Sequence, residues 1–401
     1  MSARPADAPS APMLERVTTP LDALPLDALR TRTSSKWTRY PDDVLPLFVA
    51  ETDFPLAAPI EQALADAVRR GDTGYAPPED PRIPDAFAGF ARRRFGWHVD
   101  PDRVRTTCDV MMGVAELLRA VTSSGDRVVV TPPVYPPFFD VHAESGTIAE
   151  AVPLVRDGEA WRLDLEGIER AFAAGARAIV LCNPHNPTGT VHAAETLAEL
   201  ARIAHRHGAW VISDEIHAPL TLPGARFTPF LTSAPEAAEV GFALTSASKA
   251  FNLAGLKCAF IVTAAGEPAR IVRAIPDEVE WRTSILGVIA GQAAMTACDD
   301  WLDALLARLD ANRSLLADLL REHVPGARYA PPEAGFLAWV DFSALGWGDN
   351  PAQRILREAR VALNPGPSFG EPGRGFARIN FGTGPEILSD AVTRIGALMR
   401  P

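Results

Sequence analysis

Three of the 39 basic residues in this 401-residue chain are lysines, and the rest are arginines. One of the three, Lys249, ends the run Ser246-Ala247-Ser248-Lys249, just after the apolar stretch Phe242 to Thr245. A guanidinium stays protonated, whereas an ammonium held in a partly buried place gives up its proton and becomes a nucleophile toward carbonyls. A lysine among neighbours too small to shield it, in a chain that otherwise uses arginine, points to a need for the amine itself. Two further stretches carry chemistry. Asp214-Glu215-Ile216-His217 comes after the apolar run Trp210 to Ser213, and an acid at the end of a buried strand needs a partner because an isolated carboxylate in low dielectric is costly. Cys182 to Gly189, CNPHNPTG, comes after Ala178 to Leu181. Its two prolines and glycine fix an irregular loop, which holds the Asn186 amide toward a ligand with little entropy left to lose.

An amine, a strand-end acid, a rigid asparagine loop and the Ser246 hydroxyl together match the needs of pyridoxal phosphate. That cofactor takes an amine at its aldehyde carbon, an anion that keeps the pyridine nitrogen protonated, a donor for the phenolate oxygen, and hydroxyls for the phosphate.

The elements that position these residues can be read from the pattern around them. Short apolar runs at Arg127 to Thr131, Ala178 to Leu181, Trp210 to Ser213 and Phe242 to Thr245 alternate with longer stretches of helical spacing. Continuous apolar runs suit strands buried on both faces of a mainly parallel sheet, whose ligands bind beyond the carboxyl ends. Helices are expected over 60–70, over 84–95, and after Val104 to Thr107 on the face Val114, Leu117, Leu118 and Val121. Beyond Lys257 the chain turns helical, from Trp281 through Asp300 to Glu322. A strand Phe336 to Val340, a helix at 352–359 and a strand Phe376 to Phe381 complete the pattern. The expected organisation is a disordered leader at 1–12, an N-terminal segment at 13–53 packing on a small domain, a large cofactor domain at 54–295, and a smaller α+β domain at 296–401.

A formal charge of −11, with 47% hydrophobic and 22% charged residues, fits a globular enzyme and argues against a nucleic-acid surface. No segment approaches 18 uninterrupted apolar residues, and the N-terminus lacks the apolar core of a signal peptide. Cys108, Cys182, Cys258 and Cys298 form neither a CxxC nor a metal spacing, as expected of free thiols in the cytoplasm.

NPHNPTG, SDEIH and SASKAFNLAG, in this order and spacing, resemble the fold-type I aminotransferase superfamily (class I/II). SSKW at Ser34 to Trp37, LPLFVAETDF, Gly74-Tyr75, PPVYPPF at Pro132 to Phe138, NPGPSFG and GFARIN extend the likeness over about residues 30 to 395. Within the superfamily they look most like the carbon-sulfur lyases of the MalY/PatB type, also called cystathionine β-lyases. The resemblance implies a homodimer with shared active sites. It implies that Lys249 bonds the cofactor and serves as acid and base, Asp214 pairs with the pyridine N–H, and Asn186 faces the phenolic oxygen beside His217. Tyr135 would stack on the ring. Ser246, Ser248 and the N–H groups of Val110 and Met111 would bind phosphate, joined by Tyr75 of the neighbouring subunit. Arg378, with Asn186, would hold the substrate carboxylate. The implied reaction is β-elimination from a small amino-acid thioether; amino transfer on the same scaffold is the alternative. The chain departs from the family pattern at several places. Lys257 stands where many aminotransferases have a phosphate-binding arginine. Asp109 replaces a glycine, and its carboxylate repels phosphate unless it turns away to cap the next helix. Phe48, Glu51 and Thr52 replace Trp, Asp and Met near the expected substrate mouth.

Overall fold

The computed structural model describes residues 19–399, so the expected leader at 1–12 lies outside the described residues. The main sheet contains β1 (Val104–Thr107), β2 (Arg127–Val130), β3 (Ile148–Ala151), β4 (Ala178–Cys182), β5 (Trp210–Asp214), β6 (Gly241–Thr245) and β7 (Ala259–Val262). Their order across the sheet is β1-β7-β6-β5-β4-β2-β3. Strands β2 to β6 run parallel, while β7 is antiparallel to both β6 and β1. The four expected strands are present to within a residue of their expected ends. Strands β3 and β7 are not among them, for different reasons. β3 is an edge strand with mostly exposed residues and no apolar run, and β7, though apolar and buried, is separated from β6 only by the irregular loop after Lys249 and not by a helical stretch.

Every residue of β4 and β6 is buried, and in β5 only Trp210 is partly exposed. Each buried Val, Ile or Leu side chain contributes about 1.5–3 kcal/mol, so these strands are rigid supports for the loops at their carboxyl ends. Cys182 lies opposite Asp214, and Asp214 opposite Leu244. This register aligns the strand ends, so the Asn186 loop, Asp214 and the turn to Lys249 leave the sheet along one edge.

Helix α1 (Ser35–Thr38) belongs to the N-terminal segment, and α2 (Val110–Val121) comes after β1. Helix α2 lies close against the sheet because residue 113 is glycine: a Cβ there would stand 2.5 Å from Leu244 Cδ2. The close approach carries the first turn of α2 to the same edge as Asp214 and Lys249. The long helix α3 (Asp299–His323) leads to a second sheet of β8 (Arg328–Tyr329), β9 (Leu337–Asp341), β10 (Asn364–Pro365) and β11 (Phe376–Asn380), in the order β8-β9-β11-β10 and antiparallel throughout. Helix α4 (Pro351–Ala359) lies between β9 and β10 in the chain.

The N-terminal segment crosses to this second sheet and to the Lys249 loop. Leu45 and Pro46 pair in parallel with Val361 and Ala362, and Asn380 donates its N–H to the Leu47 carbonyl at 2.9 Å. Buried Lys36 reaches Asp53 at 2.7 Å. Asn252 and Thr52 exchange two hydrogen bonds of 3.0 Å, one in each direction. The segment therefore roofs the strand ends, and the space beneath is where the expected site residues meet. Among the described residues no helix is long and apolar enough to cross a membrane.

Candidate active site

Lys249, Tyr135 and Arg378 line one cavity of ≈ 550 Å³ together with Phe48, Val49 and Ala50 of the roof. The half-buried Lys249 donates to the Ala50 carbonyl at 3.1 Å. Burial, and then the charge of Arg378, lower its pKa from the ordinary 10.5 to about 8. Desolvation disfavours the ammonium and a neighbouring cation adds to the effect, so a neutral amine is accessible near neutral pH.

Asp214 closes β5, 5% exposed, with Oδ1 accepting the Ile216 N–H at 3.1 Å. No ion pair reaches it among the described residues, and burial raises its pKa to about 6. A buried carboxylate without a cationic partner is the complement that a protonated pyridine nitrogen requires. Asn186 is 7% exposed, and its Oδ1 accepts from Arg378 Nη1 at 3.0 Å. A guanidinium only donates, so this bond fixes the amide with its NH₂ as the free donor, the group suited to a phenolate oxygen. The loop is held by Gly189, whose φ of +70° and contact with Pro332 leave no room for a side chain. His217 is buried and its Nδ1 has no partner. Burial, with Lys249 and Arg378 nearby, lowers its pKa to about 3, so the ring is neutral.

Arg378 lies in the middle of β11, 3% exposed, above the Phe369 ring at 5.0 Å. Nη2 donates to the Phe48 carbonyl at 3.0 Å, and Nε has no partner. Burial lowers its pKa to about 10, which leaves it charged at neutral pH. Tyr135 comes from the loop after β2, half-buried and edge-on to Phe138 at 6.1 Å. Its hydroxyl is held above the usual pKa, chiefly by burial.

The phosphate end also fits. Val110 and Met111 open α2, where helix geometry gives their N–H groups no intrahelical acceptor and the dipole favours an anion. Asp109 turns to cap the helix, accepting the Met112 N–H at 2.8 Å, and its other oxygen lies 3.0 Å from Lys257 Nζ. The capping and the ion pair together answer the repulsion that an acid at this place implies. Ser246 donates to the Cys258 carbonyl at 2.6 Å and shares a 2.6 Å bond with Ser248. Because each hydroxyl has one hydrogen, an anion takes the Ser248 hydrogen only by breaking that shared bond. Tyr75 is not in this group within one chain: it is 84% exposed and packs edge-on against Trp281 at 5.9 Å.

Sequence reasoning did not single out Ala50, Asn252 or the Asp109–Lys257 pair. Asn252 had a signal, since asparagine tolerates the left-handed φ of +57° it adopts. Pairing between Asp109 and Lys257, 148 residues apart, had none.

These groups sit in a chain whose residues 43–395 match the family model described as aminotransferase class I and II. A Corynebacterium glutamicum protein named cystathionine β-lyase is 36% identical, over 93% of this chain and 99% of its own. The Bacillus subtilis protein named cystathionine β-lyase PatB is 34% identical, over 89% of this chain and 93% of its own. The crystal structure of the PLP-bound C–S lyase from Staphylococcus hominis superposes with a TM-score of 0.85 at 26% identity, covering 92% of this chain and 94% of that one. A match over nearly the whole length, with Lys249 and Arg378 lining one cavity, Asn186 bonded to Arg378 and Asp214 at the adjoining strand end, leads to a single assignment: the chain belongs to the aminotransferase class I and II family.

Proposed function

We propose that the protein is a pyridoxal phosphate-dependent, β-eliminating carbon–sulfur lyase acting on L-cystathionine or related cysteine S-conjugates. The observation that carries this reading is the shared cavity of Lys249, Tyr135 and Arg378, with unpaired Asp214 buried at a neighbouring strand end. The names of the relatives and of the solved structure favour elimination over amino transfer.

Lys249, Asp214, Asn186, His217 and Tyr135 would hold the cofactor, with Val110, Met111, Ser246 and Ser248 at its phosphate. When bound, pyridoxal phosphate supplies a cationic ring that withdraws electrons from the substrate Cα. Asp214 would keep that ring protonated by offering a buried carboxylate, ionised above about pH 6, that a cation beside it stabilises. Arg378 takes the substrate carboxylate through Nε and the adjoining Nη edge, and so fixes which bond at Cα faces Lys249. The Lys249 amine, neutral near its lowered pKa, removes the Cα proton. A thiolate then leaves from Cβ, which its conjugate acid's pKa of about 8.5 makes far easier than loss of an alkoxide. Water converts the remaining fragment to pyruvate and ammonia. We further propose a cytoplasmic homodimer, in which the exposed Tyr75 completes the phosphate site of the neighbouring subunit.

The test is incubation of the cofactor-loaded protein with L-cystathionine, monitoring pyruvate, ammonia and free thiol. Equal release of the three is the expected result. Amino transfer to 2-oxo acids without thiol release would assign the protein to the alternative reaction.

A further inference from the structure

We propose that Arg39 is the receptor for an anionic group at the far end of the substrate's S-substituent, so that the site selects acid-tailed thioethers over neutral ones. The proposal rests on the lyase reading for its substrate frame, and deepens it. The cavity holding Lys249 is lined by three charged side chains, Lys249, Arg378 and Arg39, and by no carboxylate. That is unusual for a chain with 50 acidic residues and a net charge of −11. Its remaining polar lining, Ser35, Asn350, Gln353 and Asn364, is neutral. Low-dielectric walls carrying one sign of charge concentrate ligands of the other sign.

Two of those cations have plain duties at the reacting end. Arg39 does not. It comes directly after α1, is exposed, and forms no ion pair among the described residues. Its neighbours Arg30 and Arg32 do face acids, at 3.8 Å from Asp42 and 4.0 Å from Asp53. Glu51, next to the cavity-lining Ala50, is engaged by the Ser34 hydroxyl at 2.7 Å.

Arg39 is nevertheless held in place. Its guanidinium carbon stands 5.8 Å from the centre of the Phe48 ring, and Tyr40 meets the same ring edge-on at 5.2 Å. The Phe48 carbonyl in turn accepts from Arg378. One residue therefore connects the two arginines, its backbone to Arg378 and its ring to Arg39. A substrate with its α-carboxylate on Arg378 and its Cα at Lys249 extends its side chain along this wall toward the mouth. There the second guanidinium stands over the Phe48 ring with no ion pair of its own, free to take a terminal carboxylate.

The experiment compares S-(2-carboxyethyl)-L-cysteine with S-(3-methylbutyl)-L-cysteine, whose tails match in shape and differ in charge. In the cofactor-loaded protein kcat/KM should favour the acid by about tenfold or more, the size of one hydrogen bond to a charged group. Arg39→Gln should abolish that preference, chiefly by raising KM for the acid, and Arg39→Lys should retain part of it. A second measurement does not depend on the reaction: calorimetric binding of heptanedioate against 7-methyloctanoate to the same loaded protein, with and without Arg39→Gln. Preferential binding of the dicarboxylate, lost in Arg39→Gln, supports the proposal even if no thiol is released, and that combination counts against the lyase reading alone. Equal treatment of the acid and neutral ligands by the wild type, or losses in Arg39→Gln shared equally by both, overturns it while leaving thiol release to stand for the lyase.

Discussion

At the scale of single residues, burial disfavours the charge on two groups whose tasks differ: one is wanted neutral and the other ionised. Lys249 has its ammonium disfavoured by burial and by Arg378, which makes the amine available as a base. Lys249→Ala should therefore lose pyruvate release by about 10²–10⁴-fold, the range for removing an acid–base group, and should lose the borohydride-reducible covalent bond to pyridoxal phosphate. Mass spectrometry after reduction checks the second point; a retained bond would place the attachment on another residue. Asp214 shows the opposite sign. Its pKa is raised to about 6 because burial outweighs the Ile216 N–H bond and the charge of Lys249. The carboxylate that a pyridinium needs is present above that pH and lost below it, so cofactor affinity should rise as pH increases through about 6. Below it, affinity should fall by up to about tenfold per pH unit. Asp214→Asn should bind more weakly throughout and lose this dependence, as read by fluorescence titration of the cofactor between pH 5 and 8. Lys249, Asp214 and Asn186 were legible in the sequence because each is a chemically distinctive residue at the end of an apolar run. His217, Tyr135 and Arg378 were not, since a histidine, a tyrosine or one arginine among 36 marks nothing by spacing; only resemblance to a family singled them out.

At the scale of elements, the useful property is that strand ends and a helix start are brought to one edge. Gly113 allows α2 to lie against Leu244, and Asp109 caps that helix while pairing with Lys257. The pair is partly exposed on both sides, so its own contribution to stability is small. Its consequence is electrostatic: Lys257 offsets a carboxylate that otherwise faces the phosphate. Lys257→Met should weaken pyridoxal phosphate binding by up to about tenfold, the scale of one solvent-screened charge a few ångströms from an anion, and should leave binding of phosphate-free pyridoxal nearly unchanged. Asp109→Asn, which keeps a competent cap, should restore most of the loss when combined with Lys257→Met. Failure of the double variant to recover would mean that Lys257 acts on the phosphate directly. Buried parallel strands were readable because each carries an unbroken run of three or more apolar residues between helical stretches. The antiparallel β7 and the edge strand β3 were not, since no helical stretch separates β7 from β6 and an exposed strand carries no apolar period.

At the scale of the whole molecule, the single chain leaves an aromatic pair outside. Tyr75 is 84% and Trp281 45% exposed, packed on each other rather than on a core. Exposed aromatic surface marks interaction sites more often than chance placement. In the proposed two-fold dimer, each active site takes Lys249 from one subunit and Tyr75 from the other. Subunit mixing distinguishes this arrangement from a tyrosine acting within its own chain. Lys249→Ala should be inactive through loss of the base, and Tyr75→Ala should be strongly impaired through loss of a phosphate contact. In a dimer of one chain of each kind, one site carries both lesions and the other carries neither. With random reassortment half the dimers are mixed and half of their sites are intact, so an equimolar mixture should recover about one quarter of the wild-type activity per subunit. If Tyr75 served its own chain, every site in the mixed dimer would carry one lesion and nothing would be regained. The measurement is pyruvate release after dissociation and reassociation of the two purified variants, with mixed-dimer formation verified by differently tagged chains; mixed dimers that form without regaining activity would sink the shared site.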